Sequence, residues 1–241
     1  MKLAAVQFRA DQSDLLGSRA RLLALLESAA DPADLVVLPE LASTGYVFDH
    51  RDEVEVVAEP ARGPSFQAWS RVARARRCWV VGGFAERDGA DLYNSALVID
   101  PEGELRFCYR KTLLFDADKV WALAGNLGYR TFATSFGTMV VGICMDFNDM
   151  RFWRYCWTRR PQVIALPTAW TEEGIDVWEY WQRPLQGLQA VMVAANIWGV
   201  ERRVPFHGRS VILSGERVYA GADHTGDGVV RVVIEARAAA S

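Results

Sequence analysis

Short apolar runs separated by polar turns set the rhythm of this chain. Ten of them predict strands: "LAAVQF" from Leu3, "LVVLP" from Leu35, "WVVGGF" from Trp79, "NSALVI" from Asn94 and "LRFCY" from Leu105. The second half adds "TMVVGIC" from Thr138, "VIALP" from Val163, "VMVAA" from Val191, "SVIL" from Ser210 and "VVRVVIE" from Val229. Other segments carry a helical period. Between Ser13 and Ala29, Leu15, Leu16, Ala20, Leu22, Leu23 and Leu26 recur at spacings of three and four, with Arg19, Arg21 and Glu27 among the intervening positions. This predicts an amphipathic helix with one face on a sheet.

Pro64, directly after Gly63, suits the first turn of a helix through "FQAWSRVARARR". Asp149 is placed to cap "MRFWRYCWTRR", and "IDVWEYWQRPLQGLQA" reads as a helix disturbed at Pro184. Turn chemistry at "RDGAD" (Arg87 to Asp91) and "DPEGE" (Asp100 to Glu104) makes the strands between Trp79 and Tyr109 an antiparallel meander. On either side strands alternate with helices. A mixed, layered α/β architecture follows, with sheet inside and helices outside.

Three strand patterns run into residues that a core does not want. "LVVLPE" ends on Glu40, "LRFCYRK" on Lys111, and "VVGIC" on Cys144 with "MDFND" directly behind it. Each alone has a plain explanation: a solvated strand end, a surface charge beside Arg110, a small buried hydrophobe. Together they make one piece of chemistry. A thiol with a pKa of about 8.5 is mostly protonated at neutral pH and needs a base or a cation to become a nucleophile. His50, His207 and His224 lie in loop-like sequence away from these strand ends. A carboxylate and an ammonium can do the same work, Glu40 taking the thiol proton and Lys111 stabilising thiolate and then oxyanion.

The segments "LPELASTGY", "YRKTLLF" and "GICMDFNDMRF", in this order and with Glu40, Lys111 and Cys144 separated by 71 and 33 residues, resemble the three signatures of the nitrilase superfamily of carbon-nitrogen hydrolases. Similarity extends through "AAVQF", "VGGFAERDGADLYNSALVIDPEGEL", "ALPTAW", "VAANIWG" and "FHGRSVIL". The resemblance implies a four-layer αββα sandwich, two mixed β-sheets between outer helices, assembled as a homodimer or larger homo-oligomer. It also implies roles: Glu40 as general base, Lys111 on the tetrahedral intermediate, Cys144 as nucleophile and the Met145 N–H in the oxyanion hole. Asp146 is expected to support the sharp turn after Cys144. No cofactor and no metal are expected.

The chain departs from the family pattern in places. Where many relatives carry a second glutamate, seven residues before the position of Gly125, this chain has Asp118, with Asp116 as the fallback. Leu113 and Ile197 stand where the family often has histidine and arginine, which suggests an apolar or aromatic acyl portion in the substrate. "CMD" after the strand resembles amidase branches more than the Cys-Trp-Glu of nitrilases. "GICMD" with a later "AW" is also similar to amidases acting on N-terminal asparagine or glutamine. Pocket candidates are Tyr46, Phe147, Trp170 and Asn196, the last also suited to tying a buried loop. Cys78, Cys108 and Cys156 read as core.

Composition narrows the partners. At 241 residues, 51% of them hydrophobic, residues 1–241 suffice for one domain. A net charge of -3 with both signs interspersed gives no nucleic-acid footprint. Gln7 and Arg9 interrupt the first apolar run too early for a secretory segment, and no later run spans a membrane, so a soluble cytoplasmic protein is expected. Four cysteines without CxxC spacing and three histidines support neither a disulfide nor a zinc framework. The expected activity is hydrolysis of a small linear amide through a cysteine thioester. Nitrile and N-carbamoyl hydrolysis, and N-terminal Asn/Gln deamidation, share the triad. A noncatalytic metabolite-binding protein of the same fold is the alternative from another class.

Overall fold

The computed structural model describes residues 1–235, and among them are fourteen strands and five α-helices. The strands are β1 (Lys2–Gln7), β2 (Leu35–Val37), β3 (Trp79–Asp88), β4 (Asp91–Ile99), β5 (Leu105–Arg110), β6 (Thr131–Thr134) and β7 (Gly137–Val141). They continue with β8 (Val163–Thr168), β9 (Val191–Asn196), β10 (Trp198–Glu201), β11 (Val204–His207), β12 (Val211–Leu213), β13 (Val218–Gly221) and β14 (Gly228–Val233). The helices are α1 (Leu15–Ala29), α2 (Arg51–Val57), α3 (Pro64–Arg76), α4 (Met150–Arg159) and α5 (Val177–Gln182).

Two six-stranded sheets form, in the orders β14-β1-β2-β3-β4-β5 and β13-β12-β9-β8-β7-β6. Each has three parallel strands, β1-β2-β3 and β7-β8-β9, flanked by antiparallel ones. Strand alternation assigns the side chains to layers. In β2, Leu35 and Val37 join the core shared with the second sheet, while Val36 joins Leu22, Leu26, Trp69 and Val72 beneath α1 and α3. On the other side Phe152, Cys156 and Trp181 of α4 and α5 pack with the second sheet. The molecule is therefore α/β, with two large mixed sheets facing each other and flanked by helices. Sheets covered on both faces explain why so many strands are apolar at successive positions.

All ten expected strands are present, and so are the two hairpins. Capping follows the sequence: Asp14 Oδ1 accepts from Gly17 N at 2.9 Å, and Asp149 Oδ1 accepts from Arg151 N at 2.8 Å. Helix α5 stops before Pro184, which sits in a short 3₁₀ turn. The pattern missed β6 and β13, the two half-buried edges of the second sheet, the separate β10–β11 hairpin, and α2, which buries only Val54. Those elements lack an apolar stripe because most of their residues face solvent.

Strand direction places the functional residues. β5 is antiparallel to β4, which is antiparallel to β3, so β5 runs with β2 and both deliver their C-terminal ends to one edge. β7 and β8 run parallel, and the Glu40 N–H donates to Thr168 O at 3.4 Å, joining the two sheets at that edge.

Candidate active site

Each of the three predicted residues leaves its strand through a constrained backbone. After β2, Gly83 N donates to Pro39 O (3.0 Å) and Ala42 N to Gly83 O (2.9 Å), which holds the Glu40 backbone flat against β3. A Cβ at Gly83 would lie 2.5 Å from Glu40 Cα, so only glycine allows this approach. Lys111 N donates to Asn94 O and Lys111 O accepts from Gly125 N, both at 2.8 Å. Cys144 opens a 3₁₀ turn, Cys144–Asn148, with φ at +42°. A non-glycine residue there costs on the order of 1 kcal/mol, which the surrounding contacts must offset.

Asp146 supplies that support. Its Oδ2 accepts from Ile143 N (2.9 Å) and the Tyr109 hydroxyl (2.6 Å), and its Oδ1 from Thr112 N (3.0 Å) and Leu113 N (2.9 Å). One buried carboxylate thus ties the turn at Cys144 to the segment just after Lys111. Burial pushes its carboxyl up to about 6 against the pull of these donors.

At the centre, Lys111 Nζ lies 2.6 Å from Glu40 Oε1 and 2.6 Å from Asp118 Oδ2, with all three side chains buried. Asn94 Nδ2 donates to Glu40 Oε1 (2.7 Å) and Asp118 Oδ1 (2.9 Å), and Phe115 N donates to Asp118 Oδ2 (2.9 Å). The sequence reading missed Asn94. Its signal was present in "LYNSALVI", a polar pair inside an apolar strand. Glu40 Oε2 has no hydrogen-bond partner among the described residues. Asp116, the fallback acid, instead pairs with Lys119 on the surface.

The electrostatics follow from burial and charge. Burial opposes the Lys111 charge, but the carboxylates of Glu40 and Asp118 outweigh it and hold the ammonium well above its ordinary pKa. Burial raises the Glu40 carboxyl while the Lys111 ammonium pulls it back. Burial and the nearby Glu40 carboxylate push the Cys144 thiol up, with Lys111 acting in the opposite sense. The resting thiol therefore holds its proton and needs a base to release it.

Cys144 opens into a cavity of about 90 Å³ lined by Phe115, Met145, Asn148, Trp170, Glu173 and Tyr180, with Ala169 and Thr171 completing the wall. Of the four pocket candidates only Trp170 lines it. Phe147 packs edge-on behind Trp170, at 6.1 Å between ring centroids. Tyr46 lies behind Lys111, whose Nζ is 5.8 Å from its ring centre. Asn196 is consumed by backbone: Oδ1 accepts from Trp170 N (2.8 Å) and Nδ2 donates to Gly208 O (2.7 Å), so it ties the loop. Neither Leu113 nor Ile197 faces the cavity, and Ile197 packs with Leu41, Tyr46 and Phe206.

The fold also gathers two histidines that the sequence placed in loops. His207 is buried at the end of β11, its ring stacked on His224, and with Glu172 these side chains offer three donor atoms within 4.8 Å of one another. None of them lines the cavity at Cys144. The three free cysteines other than Cys144 lie outside that cavity, and Cys78 and Cys156 are core, as expected. Cys108 is partly exposed, packed against the outer core.

A nucleophile turn, a buried acid and a buried ammonium at the joined edges of two sheets define a hydrolase built around a thiol. The carbon-nitrogen hydrolase family profile matches residues 2–240, and the chain belongs to that family. It is similar to a nitrilase of Pyrococcus abyssi, 37% identical over 78% of this chain and 71% of that protein. A protein N-terminal amidase of Saccharomyces cerevisiae is 32% identical over 57% of this chain, a match spanning 36% of that protein's length. Among solved structures, an amidase from Nesterenkonia sp. AN1, in a form showing Michael addition of acrylamide at its active-site cysteine, superposes with a TM-score of 0.83. That match covers 98% of this chain and 93% of the other at 19% identity, and it establishes the shared fold.

Proposed function

We propose that this chain hydrolyses the carbon-nitrogen bond of a small linear amide, giving a carboxylic acid and ammonia or an amine. The observation that carries the reading is the unpartnered Oε2 of buried Glu40, in a site where Lys111 is already fixed and Cys144 opens into the cavity. Glu40 takes the thiol proton as Cys144 Sγ bonds to the carbonyl carbon. Lys111 and the Met145 N–H stabilise the oxyanion. The proton passes from Glu40 to the leaving nitrogen, the carbon-nitrogen bond breaks, and a thioester remains. Glu40 then deprotonates water, which attacks the thioester and restores the thiol.

Asp118 serves as the second acid, positioning Lys111 together with Glu40. Asp146 keeps the nucleophile turn in register with Lys111. A cavity of about 90 Å³ favours a small acyl group over a folded protein partner. No metal or organic cofactor takes part. Residues 1–241 act as one domain, in the cytoplasm.

The enzyme assembles as a homodimer or larger homo-oligomer through the outer face of α4, where Met150 is 78% and Trp157 41% exposed. Sedimentation of wild type against Trp157→Glu tests this. The chemistry is tested by intact mass and ammonia release with amides and their matching nitriles. A substrate-sized adduct that disappears in Cys144→Ala supports the thioester, and faster turnover of the nitrile than of its amide overturns the amide preference.

A further inference from the structure

The cavity at Cys144 carries a charge that the hydrolytic steps do not use. Glu173, in the loop between β8 and α5, is the one carboxylate on its wall. Its Oε1 accepts from the Thr171 hydroxyl at 3.1 Å, and among the described residues no Lys or Arg forms an ion pair with it. Beside it stand aromatic walls: Phe115, Trp170 and Tyr180 line the cavity. Trp170 and Tyr180 pack at 5.5 Å between centroids, each backed by Phe147. Asn148, also on the wall, is engaged, its Oδ1 accepting from the Tyr180 hydroxyl at 2.7 Å.

Among the described residues no free positive charge answers Glu173. Lys111 is held between two carboxylates, and the neighbouring acid Asp176 has its own partner in Arg209 at 3.3 Å. Aromatic faces and a free carboxylate around a small cavity attract a cation and repel an anion. Resting on the amidohydrolase reading above, we propose that the substrate is an amide bearing an ammonium group, which Glu173 and the Trp170–Tyr180 wall hold while the amide carbon meets Cys144. Amides with a carboxylate in the same place are rejected by the same charge.

The test uses two isosteric probes, 3-aminopropanamide and butanamide. Their binding to Cys144→Ala, with and without Glu173→Gln, is measured by calorimetry, and their hydrolysis by wild-type protein is followed as ammonia release. The cationic probe is expected to bind about 10-fold more tightly, a preference that falls to within about 2-fold in the Glu173→Gln background. In Cys144→Ala with Glu173 intact that preference weakens with added salt, while butanamide binding does not respond. Equal binding of the two probes, or a preference that survives Glu173→Gln, overturns the assignment even when wild-type protein releases ammonia from both. A Glu173-dependent preference without Cys144-dependent ammonia release sustains ammonium recognition and overturns the amidohydrolase reading instead.

Discussion

The floor of the active site and its outer wall are built on opposite principles. On the floor, Glu40, Lys111 and Asp118 are buried, their positions fixed by strand ends and by donors such as Asn94 and Phe115 N. On the wall, the segment after β8 exposes Glu172, Glu173 and Ile175 and contributes a few side chains to the cavity. Chemistry that tolerates little displacement sits on rigid sheet edges, and the groups proposed to choose the substrate sit on a loop that can change without disturbing them. The contrast predicts that damage to the floor is large and indifferent to substrate, and that changes to the wall are small and selective.

The largest effect belongs to the nucleophile. Cys144→Ala is expected to lower kcat by about 10³-fold or more on every amide, and Glu40→Gln to do the same, measured as ammonia release. A residual rate within 10-fold of wild type in either variant breaks the distinction between floor and wall. Next comes Asp146→Ala, which strands three backbone N–H groups and the Tyr109 hydroxyl. It should destabilise the fold by about 3 kcal/mol, a drop of roughly 6 to 12 °C in Tm by calorimetry. An unchanged Tm would mean that the turn at Cys144 is held by other contacts.

A pH profile sharpens the comparison further. In the proposed mechanism Glu40 is the base and must be deprotonated, and burial raises its carboxyl, so activity should fall as pH drops through that raised value. The acid limb of kcat/KM should therefore lie above the ordinary glutamate value of about 4.3. A limb at or below that value removes Glu40 from the role. Glu173→Gln should have the smallest effect on the fold, a Tm shift under about 2 °C, because the side chain is exposed. A larger shift would make Glu173 part of the scaffold.

Legibility in the sequence divided along the same line. The strands buried on both faces announced themselves as continuous apolar runs, whereas edge strands β6 and β13, half in solvent, carried no such signal. Glu40, Lys111 and Cys144 stood out because each breaks an apolar run, and Asp118 was indicated only by the resemblance, as the counterpart of the family's second glutamate. Asn94 escaped because a polar residue inside a strand has no partner until the strands are assembled. Phe147, Tyr46 and Asn196 were expected in the pocket and lie behind it, since residue type does not tell which side of a wall a side chain takes. His207 and His224 sit 17 residues apart in sequence, and only the fold stacks them.

By itself the sequence determined the layered α/β architecture and marked the three residues where strands end in chemistry, because periodicity and misplaced polar groups are local properties of the chain, while its motifs carried the resemblance to the family. The tertiary structure decided the rest: two carboxylates on one ammonium, one glutamate oxygen left open, and a lone acid beside aromatic walls. The first two depend on Glu40 meeting Lys111 and Asp118, more than 70 positions away, in a space from which water is largely excluded. The cost of burying charge, and hence the pairing that answers it, exists only once that space has closed.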